Sequence, residues 1–165
     1  MSKRNNSKSN YLFIGFSAEE LGLLGSRYFV NSNLYDEGTY NMMINLDMVG
    51  RLNEKKELSV FGAGTSSIFR QVLNSLNGSF NLNIINDGTG PSDHTSFYNK
   101  DLPVLFFHTG SHENYHRPSD DVELINYEGI HEISKYIVNV IAEIETYGKL
   151  DFKETVSNQP TVARF

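Results

Sequence analysis

A few short, almost continuously apolar runs, separated by stretches of helical period, constrain this chain more than any other feature. They are Tyr11–Phe16 (YLFIGF), Tyr40–Val49 (YNMMINLDMV), Leu58–Gly62 (LSVFG) and Leu102–His108 (LPVLFFH). Runs that do not alternate with polar residues belong to strands covered on both faces. Leu82–Ile85 is a weaker candidate for a short edge strand. Between these runs the apolar residues change period. Leu21, Leu24, Tyr28 and Phe29 predict a helix from about Ala18 to Asn33. Ile68, Val72, Leu73 and Leu76 predict another over 67–76. Ile130, Ile133, Ile137, Val140, Ile141 and Ile144 make one stripe of a long helix over 127–147. Strands alternating with helices predict an α/β fold: a mainly parallel, mixed sheet with helices on both faces. Nothing repeats and no linker divides the chain. A polar lead (1–10) and an aperiodic tail (151–165) flank one unit over 11–150.

Composition removes several classes of function. The net charge of −6 argues against general binding to nucleic acid or an anionic membrane, which needs concentrated Lys and Arg. No apolar run approaches the length of a membrane span. The absence of Cys excludes disulfides, zinc ribbons and thiol catalysis. The opening MSKRNNSKSN is polar and basic without an apolar core, so it does not read as a signal peptide.

The polar residues that remain are oddly placed. Glu19 and Glu20 stand together in FSAEELGLLGSRYF. Ser17 and Glu20 fit a helix-capping box, and acids suit a helix N-terminus, so a purely structural role is open. Asp47 interrupts the apolar INLDMVG, where a carboxylate is costly unless it is paired, hydrogen-bonded or metal-bound. In an open α/β sheet, sites lie beyond the carboxyl ends of the strands. Glu19 and Glu20 follow the first predicted strand, Asp47 ends the second, and His116 follows Leu102–His108. In GTGPSDHTSFY the adjacent Ser92, Asp93 and His94 cannot form a nucleophilic triad, because each member must hydrogen-bond the next. Ser92 reads as a turn or capping residue, and Asp93 and His94 as residues lining a site. HTGSHENYHRPSDD contains a literal H-E-x-x-H from His112 to His116. That motif builds a zincin site only on a helix. Gly110 before it, Pro118 after it and polar flanks instead predict a loop that offers one His as ligand. Asp120 then orients that His or caps the next element.

Taken together, FSAEELGLLGSRYF, INLDMVGR and GPSDHTSFYNKDLPVLFFHTGSHENYHRPSDD resemble the co-catalytic zinc aminopeptidases of the bacterial leucyl aminopeptidase and aminopeptidase Y type, a family that also holds the glutaminyl cyclases. The resemblance runs from Tyr11 to about Tyr147. It implies a three-layer sandwich and two zinc ions per complete site. It makes Glu19 the general base, Glu20 and His116 ligands of one zinc, Asp47 a ligand of the other, and Tyr115 an oxyanion donor. Asp93, His94 and Asp120 would support or line the site. The implied partner is a peptide substrate. In this family a His and a metal-bridging Asp precede the Glu pair, and residues 1–18 contain neither. The chain therefore resembles the C-terminal part of such a domain, truncated on its N-terminal side. Three consequences are expected: little activity alone, few or no bound zinc ions, and self-association through an exposed sheet edge. A parent protein of this family is often exported. The competing readings are a glutaminyl-cyclase-like zinc acyltransferase and a non-catalytic interaction domain of the same fold.

Overall fold

A computed structural model describes residues 9–156. Four strands form one sheet: β1 (Met43–Leu46), β2 (Glu57–Phe61), β3 (Asn81–Ile84) and β4 (Val104–His108), in the order β1-β4-β2-β3. β1 runs parallel to β4 and β2 parallel to β3, whereas β2 and β4 are antiparallel. The helix α2 (Phe69–Leu76) connects β2 to β3, as a parallel pair requires. The weakest of the predicted strands, β3, does lie at the sheet's edge.

The two faces follow from alternation along β4. Leu105 and Phe107 join Leu58 and Val60 of β2 under α2 and α4 (Tyr127–Ile144). Val104 points to the opposite face, among Phe97, Tyr98 and Leu102, where α3 (His94–Tyr98) and α1 (Leu24–Asn31) pack. Phe106 stacks on His94 on that same side, with ring centroids 4.5 Å apart. The result is the expected three-layer arrangement. The predicted stripe of α4 is buried at Ile133, Ile137, Val140 and Ile144, while Ile130 and Ile141 lie at its margin. Tyr136 joins the stripe because its hydroxyl donates to the Leu73 carbonyl at 2.7 Å, which satisfies the one polar atom of a buried ring. The Asn126 side chain caps α4 by accepting from Gly129 N at 2.8 Å.

Several expectations are corrected. Tyr11–Phe16 is not a buried central strand. It forms no ladder among the described residues, and Phe13 is 81% exposed. A strand needs a neighbouring edge to satisfy its backbone, however apolar its side chains. The first helix starts at Leu24, not Ala18, because Gly22 (φ 97°) and Leu23 (φ 60°) turn the chain left-handed just before it. Leu23 stands at its N-cap without a side-chain bond, so the Ser17–Glu20 capping box does not form. Asp93 at the N-cap of α3 makes no capping bond either. The long helix gives way to a 3-10 turn over Glu145–Tyr147. The predicted tail begins inside the folded unit. Asp151 Oδ1 accepts from Ser66 Oγ (2.9 Å), Ser67 N (3.2 Å) and Ser67 Oγ (2.9 Å), which pulls its pKa down to about 2. Phe152 packs on Tyr98.

At the end of β2, Gly62 has a φ of 81°, and a Cβ there would sit 2.1 Å from the Val104 carbonyl oxygen of β4. Gly62→Ala is therefore expected to cost roughly 2–5 kcal/mol, combining the left-handed backbone penalty with displacement of β4. A Cβ at Gly78 meets nothing within 4 Å, so Gly78→Ala should change stability by less than about 1 kcal/mol. Urea denaturation of the two variants beside the wild type checks both.

Candidate metal centre

Because β1 and β4 are parallel, their carboxyl ends open on one rim. Asp47 leaves β1 there, and its amide still reaches the Phe107 carbonyl of β4 at 3.4 Å. His108 closes β4, and the loop that follows carries His112, Tyr115 and His116. The 17–23 turn before α1 brings Glu19 and Glu20 to the same rim. That turn is tight: Gly22 N and Leu23 N both donate to the Glu19 carbonyl, and Gly25 N donates to Ser17 O. Gly25 is needed at this approach, since a Cβ there would lie 2.6 Å from Ser17 O.

His116 Nε2 lies 2.8 Å from Glu20 Oε1, joining residues 96 positions apart. A carboxylate is an acceptor, so Nε2 carries the proton of this bond. Both side chains are exposed. The Tyr115 ring stacks on the His116 ring at 3.8 Å. On the other side of the cluster, Ser92 Oγ donates to Asp47 Oδ2 at 2.9 Å and accepts from Asn45 Nδ2 at 2.7 Å. Burial raises the Glu19 pKa, and Asp47, Glu20 and Asp93 raise it further against the opposing charge of His116. The Asp93 carboxyl is likewise raised, by burial and then by Asp47, with a Ser26 hydrogen bond pulling the other way. Its Oδ1 is buried without a partner. These effects put Glu20, Asp47, Asp93 and His116 within electrostatic reach of Glu19.

The backbone is strained at three of these points. Ala18 (φ 55°), Met48 (φ 53°) and His116 (φ 56°) adopt left-handed conformations although none is glycine. Each is a candidate site residue or the immediate neighbour of one. Such strain costs about 1–3 kcal/mol per residue and persists only where the surroundings over-determine the conformation.

Other candidates fall elsewhere. His94 does not line a surface: it is fully buried against Phe106, and neither ring nitrogen has a hydrogen-bond partner. Asp120 does not orient His116. It pairs with Arg51 at 3.1 Å and lies 3.7 Å from His112 Nε2, at the wall of a cleft of about 490 Å³ that also borders Glu20, Tyr115 and His116. Residues 113–116 are turn and His112 lies in no regular element, so His112 and His116 do not share a helical face. Sequence reasoning missed Ser92 as the partner of Asp47, Asn45 behind it, and His108, whose Nδ1 accepts from Gly110 N at 2.8 Å. No spacing rule links residues 45, 47 and 92; only the fold brings them together.

The donor set fits a metal in part. Glu20 and His116 are one carboxylate and one imidazole, a combination suited to zinc. Two ligands on a tetrahedral zinc stand roughly 3.3 Å apart, given bonds near 2 Å. The observed 2.8 Å would open by about half an ångström as the shared proton leaves. Among the described residues no group of three or more His, Cys, Asp or Glu is poised to hold a metal, and catalytic zinc normally has three protein ligands.

Residues 1–141 match the family model described as Peptidase family M28. The chain belongs to that family. Among solved structures it is similar to BSAP, a zinc aminopeptidase from Bacillus subtilis, with 27% identity and a TM-score of 0.67 over 87% of this chain. It is similar to the LapA aminopeptidase of Legionella pneumophila, with 27% identity and a TM-score of 0.64 over 79% of this chain. The aminopeptidase of Aneurinibacillus sp. strain AM-1 matches at 26% identity and a TM-score of 0.56 over 86% of this chain. These matches cover 38%, 38% and 34% of those longer chains, respectively. Of these three neighbours, BSAP is named as a zinc enzyme.

Burial lowers the pKa of His94 from 6.5 to about 4. The unfolded chain therefore binds a proton here below about pH 6.5 that the folded chain refuses until about pH 4. This term leaves stability intact above pH 6.5 and removes it as pH falls toward 4, on the order of 3 kcal/mol in all. His94→Phe should abolish that part of the pH dependence. Urea unfolding at pH 7 and pH 4.5, for wild type and variant, measures the difference.

Proposed function

We propose that this chain carries the base and part of the ligand set of a zinc-dependent aminopeptidase, an enzyme that removes N-terminal residues from peptides. The observation that carries this reading is the Glu20–His116 contact beside a Glu19 whose pKa is raised. Glu20 and His116 would hold one zinc and Asp47 a second. When bound, such metals supply Lewis acidity toward a water and the scissile carbonyl.

The chain's own residues take the remaining roles. Glu19 accepts the proton of the attacking water and returns it to the leaving amine. A carboxylate with a raised pKa is better matched to that exchange near neutral pH than an ordinary one. The Tyr115 hydroxyl, its pKa raised by burial and by Glu20, Asp47 and Glu19, stays protonated and donates to the charge that develops on the carbonyl oxygen. Ser92 holds Asp47 through Oδ2. The cleft bordered by Met48, Val122 and Ile125 offers apolar wall to the substrate. No helix among the described residues is long and apolar enough to cross a membrane.

Two ligands for one zinc and one for another make an incomplete set, so peptidase turnover requires a polypeptide that supplies further ligands. Zinc titration of the 165-residue chain by calorimetry tests the ligand assignment. The wild type should bind weakly. Glu20→Ala and His116→Ala should lose binding, and Glu19→Gln should keep it. In a full-length enzyme carrying these residues, Glu19→Gln should lower kcat by ~10²–10⁴-fold with metal content unchanged. Equal zinc loss in Glu19→Gln and Glu20→Ala would show that their roles are misassigned. Robust hydrolysis of leucine anilide by the chain alone would overturn the two-metal reading.

A further inference from the structure

The loop that carries Tyr115 and His116 has little of its own to hold it. Both side chains are exposed, so no core packs around them. Among the described residues, every backbone-to-backbone hydrogen bond made by residues 111–120 stays inside the loop. Tyr115 N donates to His112 O, Arg117 N to Asn114 O and Asp120 N to Arg117 O. His116 nevertheless holds a left-handed backbone, with φ 56°. Such a conformation persists only where the surroundings impose it.

The segment that follows Asp47 supplies the constraint. Its backbone takes the two flanks of the loop: Thr109 N donates to Met48 O at 3.2 Å, and Asn126 N to Gly50 O at 2.8 Å. Its side chain Arg51 takes the middle. Arg51 Nη2 donates to Asn114 Oδ1 at 2.9 Å, and Nη1 to Asp120 Oδ1 at 3.1 Å. These two acceptors stand on either side of Tyr115 and His116. Asn114 Nδ2 donates to Ser119 Oγ at 3.0 Å, which ties the same two arms together. The Arg51 side chain is only 18% exposed, so water and salt compete with it less than at an ordinary surface pair. Among the described residues, the other side chain outside the loop that bonds to residues 111–120 is Glu20, on His116 itself.

We infer that Arg51 is a positioning residue for His116: its guanidinium spans the loop from Asn114 to Asp120 and sets the Tyr115 and His116 rings at the rim. The inference rests on the reading of His116 as a zinc ligand. The planar fork is what the task needs, since two donors fixed in one plane meet two acceptors at once, whereas a lysine offers a single rotatable point. Asp120 acts here on the loop and not on the His116 ring. The arrangement also refers both ligand segments to one strand. Asp47 stands at the end of β1, and Arg51, four residues on, fixes the loop of His116 from the same strand end.

Arg51→Lys, which keeps the charge and loses the fork, and Arg51→Ala test this on the 165-residue chain. Two readouts need no metal. One is amide exchange at Tyr115, Arg117 and Asp120, which should quicken by roughly tenfold or more in both variants as the loop opens locally. The other is the proton shift of the His116 ring, displaced in the wild type by the Tyr115 ring stacked 3.8 Å away; it should move toward the value of a free histidine. Exchange in β4 and the urea midpoint should stay near wild type. With zinc added, affinity should fall by ~10–100-fold, as it does when the group that orients a ligand is lost. Arg70→Lys is the control, because Arg70 forks in the same way onto Ile84 O and Asn86 Oδ1, on the edge strand and the loop after it, and should change none of these readouts. Wild-type exchange and His116 shift in Arg51→Ala overturn the inference, as does full rescue by Arg51→Lys. Equal loss of protection in β4 overturns it too, since Arg51 would then be a general stabiliser. A wild type that takes up no zinc counts against the proposed function alone, and the metal-free readouts still decide the role of Arg51.

Discussion

The parallel pairing of β1 with β4 is the contact on which the rest of this structure depends. It fixes Met43 opposite Val104 and Leu46 opposite Phe107, and so brings Asp47 and the 109–121 loop to the same rim. A one-residue slip would turn every side chain of β1 to the other face. Asn45 would then lose Ser92, and Asp47 would lose the hydroxyl that orients it. β4 can serve as this reference because it is buried on both faces, held by α2 and α4 on one side and by α1 and α3 on the other.

The rim is electrostatically unbalanced. Burial and then Asp47, Glu20 and Asp93 raise the cost of ionising Glu19, Asp47 adds to the cost at buried Asp93, and within this cluster the only group shown to offset Glu19 is His116. The hydrogen bond between Glu20 and His116 relieves part of that repulsion. It costs little to break because both partners are already exposed to water. A divalent cation would relieve more of it, in keeping with the family to which the chain belongs. The left-handed conformations at Ala18, Met48 and His116 lie along the same rim, while Lys56 and Asp101 adopt the same conformation in other parts of the fold.

Elements whose stability is local or whose burial is two-sided were legible from residue order. The stripe of α4, the strand at 104–108 and Asp47 at a strand end all follow from period and composition. Tyr11–Phe16 was misjudged for a definite reason. Its composition is that of a central strand, but whether a strand forms depends on a neighbouring edge. The capping box at Ser17 failed for a related reason: the pattern S-x-x-E is local, and the left-handed residues at 22 and 23 that end the turn override it.

The chain's own order of residues determined which groups could do chemistry: paired glutamates, an aspartate in an apolar run, and a His in a polar loop. Tertiary structure alone decided which of them meet. Glu20 and His116 are neighbours because the 17–23 turn and the 109–121 loop converge on one rim, 96 residues apart. Ser92 serves Asp47, His94 is sealed beneath Phe106, and Asp120 turns to Arg51 and His112. No local pattern encodes these outcomes. Hydrogen bonds and burial are satisfied by whatever the fold places within about 3 Å, and that placement is set by strand register and layer packing rather than by spacing along the chain.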